Sequence, residues 1–329
     1  MLTNHGRWVV AAAGALSLAA CGGGGDASEI ASTPTPPPAP PSPPPVAIKI
    51  FATPTEGEYA SVGASIAGPG GNLDTYATAD VRFGPISTSS VDQAHIRYTS
   101  GGLYEVKLAG ADWDRLVPYG GISNSDPETN NYFQPQGVPT NYGYLITRSS
   151  RTIGYTFSEL GAWGSEAQGR WGYVAFGLPT PAGAVPTSGS ATFKGVVSGS
   201  TDVLLADNLY GGYYPLSTDG FVTLNFNFGS GSLGGQMDLF LPDGMSPTPL
   251  GSFTFRETVF SVGSRSYSGS FETTVAGQNF FLGQFTGPNA QETIGAWALP
   301  FVFNQNGEFI SGDGQVHQAF GAWIAKREP

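Results

Sequence analysis

The sequence is poor in the residues on which most metal and thiol chemistry depends. Among 329 residues there are three histidines and one cysteine, too few ligands for a structural zinc site. Lysine and arginine number 14 against 25 aspartates and glutamates, they are scattered along the chain, and the formal net charge is −11. A chain without a basic cluster does not bind nucleic acid by releasing counterions from phosphates. The sequence therefore predicts no metal site and no nucleic-acid partner.

The sequence also lacks the motifs of common enzyme classes. It has no G-x-S-x-G nucleophile motif, and the glycine-rich residues 68 to 71 lack the lysine and serine or threonine of a phosphate-binding loop. No apolar stretch of 18 or more residues follows the N-terminal region, so no transmembrane helix is predicted. We expect the chain not to be an enzyme; a hydrolase with unrecognised residues is the least favoured alternative.

Glycine and proline, by contrast, are abundant. There are 48 glycines and 26 prolines, and only 12% of the residues are charged, against about 25% in a typical soluble domain. Such a composition disfavours long helices and suits short strands joined by tight turns. An all-β fold is predicted.

The N-terminus has the features of an export signal. An apolar run from Trp8 to Ala20 precedes Cys21, and Leu18-Ala19-Ala20-Cys21 matches the bacterial lipobox. We predict a signal peptide over residues 1 to 20 and lipidation of Cys21, which gives a membrane anchor with fatty acyl chains such as palmitate. Gly22 in place of aspartate implies sorting to the outer membrane of a Gram-negative bacterium, with the protein at the cell surface.

Residues 21 to 46 are predicted to hold the folded body away from that membrane. Four glycines follow Cys21, and residues 34 to 45 include nine prolines. Proline-rich segments favour polyproline II, which gives a spacer of roughly 37 Å for twelve residues. A proline-rich ligand for a partner domain is the less favoured alternative.

The rest of the chain divides at a proline- and glycine-rich connector around residues 178 to 189. Beyond it, Val222, Leu224, Phe226 and Phe228 alternate with polar residues, as in a strand with one buried face. Similar runs recur every 10 to 20 residues, which predicts an antiparallel barrel over residues 186 to 329. Residues 47 to 185 are less regular and are predicted to form a β-rich "handle" domain, with strands that include residues 80 to 83 and 153 to 157.

A motif in the predicted barrel resembles a known family. Residues 283 to 295, GQFTGPNAQETIG, resemble the G-x-F-x-G-P-x-A-x-E-x-x-G signature of transferrin-binding protein B and related surface lipoproteins. The resemblance implies an N-terminal handle followed by an eight-stranded barrel, and a function in capture of a solute, an iron source or haem, alongside an outer-membrane transporter. Within the motif, Phe285 is expected to point into the barrel and Glu292 to accept hydrogen bonds rather than act in catalysis.

The candidate binding residues are aromatic side chains in glycine-, asparagine- and proline-rich contexts. Tyrosine on loops contributes contact area and a hydrogen bond at a small entropic cost. His317 is a candidate axial haem ligand, although a plain surface histidine is the alternative. No cofactor is predicted, but haem is a candidate ligand beside a protein; a structural or adhesion lipoprotein without a small ligand is the alternative function. The predicted site residues are Tyr132, Tyr142, Tyr144, Tyr213, Tyr214 and His317.

Overall fold

The computed structural model describes residues 50 to 68, 83 to 118, 131 to 136, 143 to 148, 154 to 206, 213 to 242, 247 to 304 and 312 to 329. In these residues the chain is almost entirely β-structure, with two short 3-10 turns at Ser90–Asp92 and Glu166–Gln168. None of them forms a helix of the length and hydropathy that crossing a membrane requires. The all-β prediction is confirmed. The predicted signal peptide, Cys21 and the tether lie outside the described residues.

The N-terminal part is a nine-stranded antiparallel sheet with the order β1-β3-β4-β5-β6-β7-β8-β9-β2. It curls so that its inner face encloses a core to which both halves of the sheet contribute, for example Ile96 and Val106 opposite Trp163 and Phe176. The strands are β1 (Gly57–Glu58), β2 (Ala60–Ala67), β3 (Ala94–Tyr98), β4 (Tyr104–Leu108), β5 (Asp114–Pro118), β6 (Asn131–Pro135), β7 (Gly143–Arg148), β8 (Ser158–Ser165) and β9 (Arg170–Gly177).

The C-terminal part is a closed antiparallel barrel of eight strands, in which β17 pairs with β10 to complete the ring. Closure leaves no free edge along these long, phenylalanine-rich strands. The handle-and-barrel prediction is confirmed. The strands are β10 (Ser190–Ala206), β11 (Tyr213–Asn227), β12 (Ser232–Leu241), β13 (Thr248–Phe260), β14 (Ser266–Phe271), β15 (Phe280–Thr286), β16 (Glu292–Val302) and β17 (Val316–Arg327).

Aromatic side chains fill the interior of the barrel. The alternation along β11 directs Leu224 and Phe226 inward, where the ring of Phe226 lies 4.8 Å from that of Phe285 and 5.0 Å from that of Tyr267. The inward orientation of Phe285 is therefore as predicted. A barrel of eight strands has an interior just wide enough for its own side chains, and here those side chains occupy it.

Two buried tryptophans of the barrel each lie against a glycine of the neighbouring strand. In the register of β16 and β17, Gly295 is opposite Trp323 and Trp297 is opposite Gly321. A Cβ atom on Gly295 would lie 2.2 Å from Cε2 of Trp323, and one on Gly321 would lie 2.9 Å from Cζ2 of Trp297. The two Gly-Ala-Trp segments at 295 and 321 thus place a small residue beside a large one, as barrel packing requires.

A third hydrophobic core lies between the N-terminal sheet and the barrel. The outward-facing residues of β16 and β17 pack against the outer face of β2 and β9, where the ring of Trp171 lies 5.2 Å from that of Phe320. The shared core leaves β16 buried on both faces. The predicted boundary at residue 186 separates the sheet strands from the barrel strands in sequence, but it stays a proposal as a domain boundary, because both parts contribute to this core.

Several predicted strands differ from the structure. The predicted strands over residues 191 to 197 and 203 to 210 belong to one long strand, β10, whose pairing with β11 shifts register between Ser200 and Leu204. This irregularity interrupts the sequence alternation. Residues 154 to 157 form a turn, with Gly154 at φ 83°. Phe83 lies outside any strand, while residues 80 to 82, 153 and 207 to 210 lie outside the described residues.

Candidate binding surface

One end of the molecule collects connections from both parts. We call it the loop end: in the barrel it is the end at which β10, β12, β14 and β16 finish, and in the sheet the end at which β4, β6 and β8 finish. Gln278, between β14 and β15, holds the two parts together here. Its Oε1 accepts from the backbone N of Ile86 at 2.7 Å, and its Nε2 donates to the oxygen of Ile86 at 2.9 Å.

His317 lies at the loop end of the barrel, between two carboxylates. Its Nδ1 is 2.8 Å from Oδ1 of Asp202 and its Nε2 is 3.0 Å from Oδ2 of Asp313. The hydrogen bond to Asp202 is the main reason that the pKa of His317 lies above its usual value, and Asp313 adds to the effect. Phe301 and Phe303 pack beside the ring. Both ring nitrogens are thus engaged, and binding haem iron would require one carboxylate to move away.

His95 on β3 is similarly occupied. Its Nδ1 is 3.1 Å from Oε1 of Glu58, and its Nε2 is 2.7 Å from the backbone oxygen of Ser90. Among the described residues no group of three or more His, Cys, Asp or Glu side chains is arranged to hold a metal ion. The two histidines of the described chain therefore act as hydrogen-bonding groups in this structure.

Of the predicted tyrosines, the structure describes the side chains of two, Tyr144 and Tyr214. Tyr144 is half-buried on β7, where its ring covers Gly164 of β8, and Tyr214 is half-buried on β11 opposite Leu205. Both belong to strand ends at the loop end, one in the sheet and one in the barrel. Tyr132 lies in β6 and Tyr213 begins β11, but their side chains, and the whole of Tyr142, lie outside the described part of the structure. A binding role for the tyrosines stays a prediction.

Glu292 connects the barrel to the sheet at the opposite end. Its Oε1 accepts from the backbone N of Thr156 at 2.7 Å and its Oε2 from that of Phe157 at 3.0 Å. The side chain is buried, and burial raises the pKa of Glu292 while the hydrogen bonds lower it by a smaller amount. Glu292 is thus a hydrogen-bond acceptor, as predicted, although it holds the turn of residues 154 to 157 rather than its own turn.

A pocket that the sequence did not indicate opens at the loop end of the curled sheet. It has a volume of about 260 Å³ and lies where β4, β6 and β8 end and β7 begins. Val106, Leu108 and Pro135 contribute its apolar lining. Asp112 lies on the β4–β5 connection beside Trp113, and Asp114 begins β5. The only available sequence signal was a tryptophan flanked by two aspartates in a polar connection. The pocket depends on strands that are far apart in sequence.

Comparison with known proteins gives structural similarity at low sequence identity. No family model and no curated protein sequence matches the chain. Among solved structures, transferrin-binding protein B of Haemophilus parasuis is 12% identical with a TM-score of 0.39, over 81% of this chain and 44% of that one. The haemoglobin receptor of Kingella denitrificans is 14% identical with a TM-score of 0.38, over 84% of this chain and 89% of that one.

The protein from Neisseria meningitidis, also a transferrin-binding protein B, is 11% identical with a TM-score of 0.37, over 82% of this chain and 44% of that one. The chain thus spans less than half of the length of these two transferrin-binding proteins. The family predicted from residues 283 to 295 is among the structurally similar proteins.

Proposed function

We propose that the chain is a lipid-anchored lipoprotein of the outer membrane that binds a protein partner through its loop end. The observation that carries this proposal is the pocket beside Asp112 and Asp114, at the loop end of the nine-stranded sheet. Binding residues are commonly found on connections that a rigid scaffold positions. Because the barrel interior is filled by aromatic side chains, we place the partner outside the barrel, and the proposed activity is binding rather than catalysis.

The family resemblance supports the same class of function. The structures similar to this chain include a transferrin-binding protein B and a complex with human haemoglobin. We propose a protein ligand of comparable size for this chain. An outer-membrane transporter as second partner is proposed on the resemblance alone.

The proposal is tested by using the folded body, residues 46 to 329, as bait, since this segment contains all three hydrophobic cores. Immobilised body should deplete one component from a complex protein mixture such as serum. The purified component should rebind saturably. A body unfolded by heat serves as the control, and equal depletion by folded and unfolded body would contradict specific binding.

Haemin is expected not to bind saturably to the same body. Both nitrogens of His317 and of His95 are engaged by oxygen acceptors, and displacing a charge-assisted hydrogen bond costs roughly 1.5 to 3 kcal/mol. The measurement is a titration followed at the Soret band. A saturable one-to-one shift that disappears in His317→Ala would instead make haem the ligand.

Replacing Cys21 is expected to release the chain from membranes. The lipobox predicts that the only thiol of the chain carries the lipid, and two or more acyl chains are needed for stable anchoring. In Cys21→Ser, the protein should move from the membrane fraction to the soluble fraction after a carbonate wash. Ser28→Ala, a change in the predicted tether, is the matched control. Retention of Cys21→Ser in membranes would contradict the anchor.

A further inference from the structure

The pocket at the loop end of the curled sheet has the size of one side chain. Its volume of about 260 Å³ lies below the roughly 300 to 1,000 Å³ of sites for drug-sized ligands. The apolar part of its lining comes from Val106 and Leu108 on β4 and from Pro135 at the end of β6, and Ser165 and Gln168 lie on the side of β8. Such a site suits a side chain with an apolar stem and a polar tip.

The two acidic residues of the pocket give it a negative rim. Asp112 is exposed, and within the described chain its carboxylate forms no ion pair; Asp114 accepts from the backbone N of Arg115 at 2.7 Å. Lys107 and Arg115 alternate with pocket-lining residues on β4 and β5, so they face the other side of the sheet.

Arg97 on β3 is the cation that contacts Trp113 of the pocket, and it is paired with another carboxylate. Arg97 forms an ion pair with Glu105, and its guanidinium carbon lies 4.4 Å from the ring centroid of Trp113. Arg97 itself does not line the pocket. A cation that enters the pocket would lie close to Asp112 and Asp114, which line it. The chain as a whole, at a net charge of −11, attracts basic surfaces.

We propose that this pocket receives an arginine side chain from the basic surface of a protein partner. The inference rests on the proposed binding function and names the chemistry of its partner. Arginine fits better than lysine because its planar guanidinium can donate to two carboxylates at once, while its aliphatic stem packs on the apolar lining. Arginine is also among the residues that most often anchor protein interfaces in pockets.

The test uses the body of residues 46 to 329 and two small probes. N-acetyl-arginine amide carries the guanidinium, and N-acetyl-citrulline amide is its neutral counterpart of nearly the same shape. Binding is followed by the NMR signal of the Trp113 indole N–H, assigned with Trp113→Phe. We expect a saturable shift with the arginine probe at roughly millimolar concentration and an affinity at least about tenfold lower for the citrulline probe.

Variants decide whether the carboxylates are responsible. Asp112→Asn combined with Asp114→Asn preserves side-chain shape and an acceptor for Arg115, so folding should be retained, and the arginine probe should bind no better than the citrulline probe. Asp238→Asn, on barrel strand β12, removes one negative charge far from the pocket and should leave the binding of both probes unchanged. Equal binding of both probes, no saturable shift, or arginine binding that survives in the double variant would overturn the assignment.

This experiment separates the pocket from the proposed function. If a protein captured by the body binds the double variant as tightly as the original, the binding function stands and the arginine pocket is wrong. If the arginine probe binds as expected but no mixture yields a partner, the pocket stands and the proposed function fails.

Discussion

Replacing Gly295 with valine is expected to unfold the barrel. A Cβ atom at this position would lie 2.2 Å from the ring of Trp323, far inside van der Waals contact, and Trp323 is fully buried among other core side chains. The ring of Trp323 also lies 6.0 Å from that of Phe255 and 6.2 Å from that of Phe281, so its displacement would disturb other core side chains. Overpacking usually costs about 1 to 3 kcal/mol, and this case should exceed about 4 kcal/mol because the ring itself would have to leave its site.

Thermal and denaturant melting of the body would measure the effect. Gly234 provides a matched control, since it is also a barrel glycine but has no atom within 4 Å of an added Cβ. Gly234→Val should leave the melting temperature almost unchanged. A melting curve of Gly295→Val that coincides with the original would show that Trp323 does not occupy the position described.

Replacing Glu292 with alanine is expected to loosen the attachment of the sheet to the barrel. Two backbone N–H groups, of Thr156 and Phe157, would lose their acceptor. An unsatisfied buried donor costs about 1 to 3 kcal/mol, so the free energy of unfolding should fall by roughly 3 kcal/mol, offset in part by relief from burying a charge. Exposed Glu166 offers a matched glutamate-to-alanine control, which should change stability by less than about 0.5 kcal/mol.

The same residue predicts a pH dependence. Burial raises the pKa of Glu292 above its ordinary value of 4.5. Between pH 4.5 and the pKa of the folded state, the folded chain therefore binds more protons than the unfolded chain. Stability therefore decreases as the pH rises from about 4.5 through the pKa of the folded state. In Glu292→Gln this decrease should be absent, which denaturant titrations at several pH values would measure. An unchanged pH slope in the variant would assign the proton uptake to another group.

The sequence indicated the barrel better than the sheet, and burial explains the difference. Strand β11 alternates apolar and polar residues because only its inner face is buried. Strands β2, β8 and β9 are buried almost throughout, with one face on the inner core of the sheet and several residues on the shared core, so their sequences show no alternation. Small residues such as Gly63 and Gly172 on β2 and β9 further weaken the strand pattern.

The candidate site was less predictable than the fold. Tyr144 and Tyr214 were chosen for their sequence context, but nothing in that context revealed that Gly164 makes room for one ring or that Leu205 lies opposite the other. The position of His317 between Asp202 and Asp313 depends on the pairing of β10 with β17, more than 100 residues apart. Contacts of this kind follow from topology, which local patterns do not encode.

The shared core also bears on the biogenesis of the chain. Strands β2 and β9 expose an apolar face that is covered only when β16 and β17, synthesised more than 100 residues later, are in place. During synthesis this face has no partner until those strands are made, and exposed strands of this kind are prone to aggregate. An exported chain with this order of elements would need a holding chaperone until its final barrel strands arrive.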